Sequence, residues 1–159
     1  MNGYRAGKKY TTHFSAFRRR SNSGRDGSNL VIIIPIRSSR HLVETYIQIY
    51  DAQRQATAYV ALDTGAVFTV ITPALARQIG LKDSLGALPV VSATGSQQAN
   101  RYRVGCIQPG SEKITNLEVV VLNLPVQLKL DGLLGLNFLS RFITTFDYSA
   151  MEVRLQRLT

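Results

Sequence analysis

The apolar residues of this chain arrive in short runs rich in Val and Ile, each closed by polar or turn-forming residues, and only one stretch carries clear helix signals. Such patterning predicts a domain made mainly of strands. Val31-Ile32-Ile33-Ile34 reads as a β-branched strand ended near Pro35, which cannot donate to a ladder and belongs at an edge or strand end. Thr45 to Tyr50 and Thr57 to Leu62 flank the polar stretch Asp51 to Gln55 as a hairpin would. Val67 to Ile71 reads as another strand. Thr72 can cap the helix that follows, Pro73 suits its first position, Ala74 to Ile79 propagate it, and Gly80 permits a left-handed exit. Pro89 to Ser92 and Tyr102 to Val104 read as a second hairpin around a polar tip from Ala93 to Asn100, containing Gly95 and suited to act as a lid. Strands are expected at Leu117 to Leu122 and Leu128 to Leu130, then a short helical segment at Leu136 to Arg141. A last hairpin pairs Ile143 to Asp147 with Met151 to Leu155, where Met151, Val153 and Leu155 share a face.

Composition sets the outer limits. At 159 residues, 45% of them hydrophobic, one buried core is expected. The longest apolar run, Leu30 to Ile36, is far shorter than the roughly 20 residues a bilayer requires, so a soluble domain with no membrane partner is expected. Cys106 is the only cysteine, which excludes an intrachain disulfide and fits a reducing compartment such as the cytoplasm. With only His13 and His41 besides, no structural zinc set can be built from one chain, and we expect no metal. The net charge of +9 is unevenly spread: residues 1 to 29 carry seven bases against Asp26, a net of +6, leaving +3 for the rest. Those first 29 residues hold almost no aliphatics and read as a basic, flexible arm, in which Tyr10, Phe14 and Phe17 fall on one helical face. As an Arg-rich, Ser-rich segment it also fits an organelle-import peptide or an anion-binding tail, the one route by which nucleic acid could be a partner. A solvated tail is the default.

The residues that carry chemistry lie where the first hairpin ends. Asp63 follows an apolar strand, Thr64 and Gly65 follow it, and a second apolar strand comes next. A carboxylate is thereby set on a tight turn between apolar walls, with a hydroxyl beside it and a glycine that admits close backbone approach. Further on, Leu133-Leu134-Gly135-Leu136-Asn137-Phe138-Leu139 supplies an apolar-apolar-Gly segment before a short helix. This order resembles the retropepsin-like aspartic proteases, the single-domain relatives of pepsin, and the second segment is particularly similar to their bacterial members. The resemblance covers about residues 30 to 157.

It implies an all-β acid-protease fold over residues 30–159, a closed, ψ-loop β-barrel-like half with one or two short helices, assembled as a two-fold homodimer. It also implies peptide-bond hydrolysis with a peptide or protein substrate and no cofactor. Asp63, Thr64 and Gly65 would form the catalytic loop, Leu133-Leu134-Gly135 would pack beneath it, and Ala66, Val67, Thr94 and Gly95 would meet substrate. Aspartic proteolysis needs two carboxylates sharing a proton. The chain holds no second Asp-Thr-Gly, since Asp51, Asp83, Asp131 and Asp147 are followed by Ala, Ser, Gly and Tyr. A symmetric partner would therefore bring the second Asp63, and activity would favour acidic to mildly acidic pH. Two departures stand out: Val67 and Phe68 occupy positions where retroviral members commonly carry an acid that contacts the substrate backbone, and the lid hairpin has a single glycine. A catalytically silent dimer that binds peptides or scaffolds a complex is the rival reading.

Overall fold

The computed structural model describes residues 31–39, 42–92 and 95–158. The basic arm, His41 and Thr94 lie outside these. Among the described residues, the chain forms two β-sheets, two short α-helices and one 3-10 turn. In the larger sheet, β3 (Leu42–Asp51) and β4 (Arg54–Leu62) form the first hairpin, with Asp51 opposite Arg54, so the turn is tighter than the polar stretch implied. Period-2 alternation buries Ala56, Ala58, Val60 and Leu62 on one side of β4.

The sheet continues through β9 (Gly132–Leu134), β5 (Thr69–Ile71), β8 (Ile114–Val121), β7 (Gly95–Gln108) and β6 (Ser84–Ser92), while β2 (Arg37–Ser39) flanks β3 at the other edge. Its inner strands curl until β7 also pairs with β3, placing Ile49 opposite Ile107. That pairing closes the sheet on itself. The most consequential feature of the order is β9, which is parallel to β4 and antiparallel to β5 and thus sits between two strands joined directly by the loop carrying Asp63. The smaller sheet takes β1 (Val31–Pro35), β11 (Glu152–Arg157) and β10 (Phe142–Asp147) in that order. Ile32, Ile34, Val153 and Leu155 turn inward from it and join Ile49, Val60, Ile107, Leu117 and Phe138 in one hydrophobic cluster.

Helix α1 (Pro73–Ile79) starts and stops where the residues predict: the Thr72 hydroxyl accepts from the Leu75 amide at 3.3 Å, and Gly80 leaves at φ 69°. Helix α2 (Leu136–Leu139) is a single turn, shorter than expected. Four expectations need correction. Only Thr69–Ile71 of the Val67 to Ile71 run is strand, because the carbonyls of Ala66 and Val67 accept amides from α2 instead of a sheet neighbour. The expected strand at Leu128 to Leu130 is absent: Val126–Leu128 make a 3-10 turn and Lys129 adopts φ 54°, which ends any extended run. The second hairpin has no broad polar tip; it is paired out to Ser92 opposite Gly95, and the polar residues from Ser96 to Asn100 are strand residues largely facing solvent. Met151, at φ 52°, belongs to the last turn and is exposed, while Val153 and Leu155 are buried as expected.

Phe138 is fully buried and its ring lies 5.3 Å from that of Phe142, so it ties α2 to the smaller sheet. Replacing it with alanine should cost about 3–5 kcal/mol, read as a lowered urea midpoint.

Candidate active site

The chain leaves β4 at Leu62 and turns immediately. The Asp63 amide donates to the Leu134 carbonyl at 3.0 Å, which anchors the start of the turn to β9. The Asp63 side chain then folds over its own loop, its Oδ1 accepting from the Gly65 amide at 2.8 Å, and the Ala66 amide returns to the Asp63 carbonyl at 3.3 Å. Asp63 remains half-exposed, and Thr64, Gly65 and Val67 are exposed beside it. A carboxylate in this setting keeps oxygen surface free for a ligand or a second protein.

Beneath the loop, the Leu136 amide donates to the Ala66 carbonyl at 2.8 Å and the Asn137 amide to the Val67 carbonyl at 3.1 Å. The fit allows no side chain at Gly135, where a Cβ would stand 2.4 Å from the Phe68 oxygen and 2.8 Å from the Ala66 oxygen. Gly132 is similarly constrained, its Cβ position lying 2.4 Å from the Val70 oxygen. Leu133-Leu134-Gly135 is thus brought under Asp63, with Leu134 buried and Leu133 half-buried. Asn137 also supports this region: its Oδ1 accepts from the Thr69 amide at 2.8 Å and hydroxyl at 2.9 Å, and its Nδ2 donates to the Glu118 carbonyl at 2.7 Å. Sequence reasoning assigned Asn137 no task, although a single amide inside an apolar run was the visible signal.

The expected substrate-facing residues are divided. Ala66 and Val67 share the Asp63 loop, whereas Gly95, at φ 131°, begins β7 at the exposed end of the second hairpin. Val91 near that end is 81% exposed, and Val126 on the 3-10 turn is 82% exposed, conspicuous values for large aliphatic side chains. Cys106 is half-buried on β7, and burial pushes its thiol above the usual range, which disfavours the reactive thiolate.

The other aspartates of the described residues are occupied structurally. Asp131 accepts the Tyr59 amide at 2.9 Å, Asp51 accepts the Gly105 amide at 3.1 Å, and Asp83 pairs with Arg103. Asp147 takes the Ala150 amide and the Ser149 hydroxyl, which with Arg154 hold its carboxyl below the ordinary range. Sequence reasoning also passed over Glu44, which is buried and receives the Tyr59 hydroxyl, while the Tyr46 ring lies tilted against that of Tyr59 with centroids 4.7 Å apart. No group of three or more His, Cys, Asp or Glu among the described residues is arranged to hold a metal.

A carboxylate turn seated on an apolar-apolar-Gly segment, inside a sheet that closes on itself, defines the class: a single-domain aspartic-protease fold. Residues 53–141, more than half of the 159, match the family described as gag-polyprotein putative aspartyl protease, and the chain belongs to that retropepsin-like family. Among solved structures, it is similar to a retropepsin-like aspartic protease from Rickettsia conorii, with a TM-score of 0.55 and 22% identity over 83% of this chain and 96% of that one. At that identity the likeness is one of fold. No curated protein sequence matches the chain.

Burial first, and then the Glu44 carboxylate, push the Tyr59 phenol from 10.0 up to about 12. Since the folded-state value is the higher one, this contribution to stability is complete below pH 10 and is lost as pH rises towards about 12. Tyr59→Phe should remove that part of the alkaline decline, seen by comparing urea melts of the two proteins across this range. Gly135→Ala should be far more damaging at every pH, costing upwards of about 3 kcal/mol because backbone atoms cannot move aside; the same melts would measure it.

Proposed function

We propose that the protein is an aspartic endopeptidase whose site is completed by a second copy of the chain. The observation that carries this reading is the disposition of its carboxylates: Asp63 is held on an exposed turn by the Gly65 amide, while Asp51, Asp83, Asp131 and Asp147 are engaged elsewhere. On this reading the second acid of the water-activating pair comes from another chain, and a two-fold axis beside the loop would supply Asp63 again. Thr64, exposed next to Asp63, suits a hydroxyl contact between the two loops. The seating of β9 between β4 and β5 supports the ψ-loop reading of this half-site.

The chemistry needs no covalent intermediate. The ionised Asp63 takes a proton from a bound water as the water oxygen attacks the scissile carbonyl carbon, and the protonated Asp63 of the partner subunit donates its proton to the carbonyl oxygen. A gem-diol results. The acid that gained the water proton then delivers it to the amide nitrogen as the C–N bond breaks, while a hydroxyl of the gem-diol returns a proton to the other carboxylate. Only the singly protonated pair can begin the cycle, so activity should peak in the acidic to mildly acidic range. Ala66, Val67, Thr94 and Gly95 are the residues we assign to the bound peptide, with the β6–β7 hairpin closing over it.

Asp63→Asn should lower peptide cleavage by about 10³-fold or more, the scale seen when one member of a catalytic unit is removed. Sedimentation should find the same dimer in native and variant protein. Cleavage that survives the substitution would end the acid-pair mechanism, and a native protein that dimerises without cleaving would favour a peptide-binding role.

A further inference from the structure

The loop of Asp63 is fastened at its far end by an amide that no part of the mechanism uses. Thr69, where the loop re-enters the sheet as the first residue of β5, is 1% exposed. Its amide and its hydroxyl both donate to Asn137 Oδ1, at 2.8 and 2.9 Å, and its hydroxyl oxygen accepts from the Gly135 amide at 3.3 Å. Both acceptor positions of that Oδ1 are filled. On its other side Asn137 Nδ2 reaches the Glu118 carbonyl of β8 at 2.7 Å, while the Asn137 backbone amide holds the Val67 carbonyl at 3.1 Å. One residue thus grips the loop at two points and ties it to a strand paired with β7, the inner strand of the lid hairpin.

We infer that Asn137, acting through Thr69, is a positioning residue for the Asp63 carboxylate. The inference rests on the reading of Asp63 as catalytic. Asp63 is pinned at the loop entrance by Leu134 and the loop exit is pinned by Asn137, so the carboxylate's placement depends on both ends. A shift of the exit re-aims Asp63 while leaving every side chain assigned to substrate chemically intact. Productive geometry tolerates little displacement, and misplacement by about 1 Å is worth roughly 100-fold in rate. An amide suits this post because it offers acceptor and donor in diverging directions from one rigid plane.

Thr69→Val tests the point. It preserves shape and the backbone bond to Asn137 but removes the hydroxyl that links Gly135 to Asn137. We expect kcat to fall about 10- to 100-fold with KM and the dimer constant within about threefold of native, and Thr69→Ser to recover most of the loss. A second measurement does not need catalysis: amide hydrogen exchange at Asp63 and Leu136 should accelerate in Thr69→Val, while Ile32 and Ile34 in the smaller sheet stay as protected as in the native protein. Unchanged kcat together with unchanged exchange would overturn the inference. So would acceleration spread evenly over the chain, which is the mark of general destabilisation. If the native protein cleaves no peptide, the acid-pair reading fails, and exchange confined to the loop still decides whether Asn137 holds it.

Discussion

Everything near Asp63 depends on the approach of one backbone to another at Gly135. The loop carbonyls of Ala66 and Val67 are satisfied by the amides of Leu136 and Asn137, and these can reach only because nothing projects from Gly135 towards Phe68. The same economy of volume operates at Gly132, which lets β9 lie flat between β4 and β5. A loop that leaves one strand and re-enters its neighbour but one would ordinarily expose its polar backbone or wander. Here its carbonyls find partners at fixed positions, so a turn made largely of small residues is held without a side-chain core of its own.

The electrostatic setting follows from that arrangement. From Thr64 to Ala76 and from Gly132 to Ser140 the chain carries no charged residue, so Asp63 stands as the one formal charge of the loop and its support. The other aspartates of the described residues are engaged away from the loop, as at Asp131 with the Tyr59 amide and Asp147 with Arg154. In a paired site, the strongest field on each Asp63 would come from its twin. In such a pair, this isolation would favour the sharing of one proton over the distribution of charge among neighbouring cations.

Much of this was legible in the residues, for identifiable reasons. The first hairpin, α1 and the Asp63 turn follow local rules: alternation, a Thr cap before Pro73, a left-handed Gly80. Leu133-Leu134-Gly135 could be placed under Asp63 only by resemblance, since the parallel pairing of β4 with β9 joins segments some 70 residues apart and leaves no local trace. The errors have the same origin. Val67 and Phe68 look like strand by composition, but the partners of their segment come from α2 rather than from a sheet edge. Leu128 to Leu130 look like strand too, and the left-handed Lys129 shows tertiary context overruling propensity. Asn137 and Glu44 escaped notice because a buried polar side chain announces itself only once its partners are in place.

The β6–β7 hairpin differs in its surroundings between its root and its outer end. Its pairing runs without interruption from Ala87 opposite Asn100 to Ser92 opposite Gly95. The break in register lies at the base, between Ser84 and Ala87, where Gly86 takes φ 84° and nothing lies within 4 Å of its missing side chain. Just inside this break, Arg101 holds the Leu85 carbonyl at 3.3 Å and pairs with Glu118, while Arg103 binds Asp83 through backbone and side chain. Beyond it, Gly95 to Gln98 are exposed; on the inner side Val104 and Ile107 of the same strand are fully buried. One strand therefore has an exposed outer end and a buried inner end. The register break of the hairpin lies at its root, next to β8, the strand that Asn137 ties to the Asp63 loop, so the residues that fix the loop and those that fix the hairpin base share one strand.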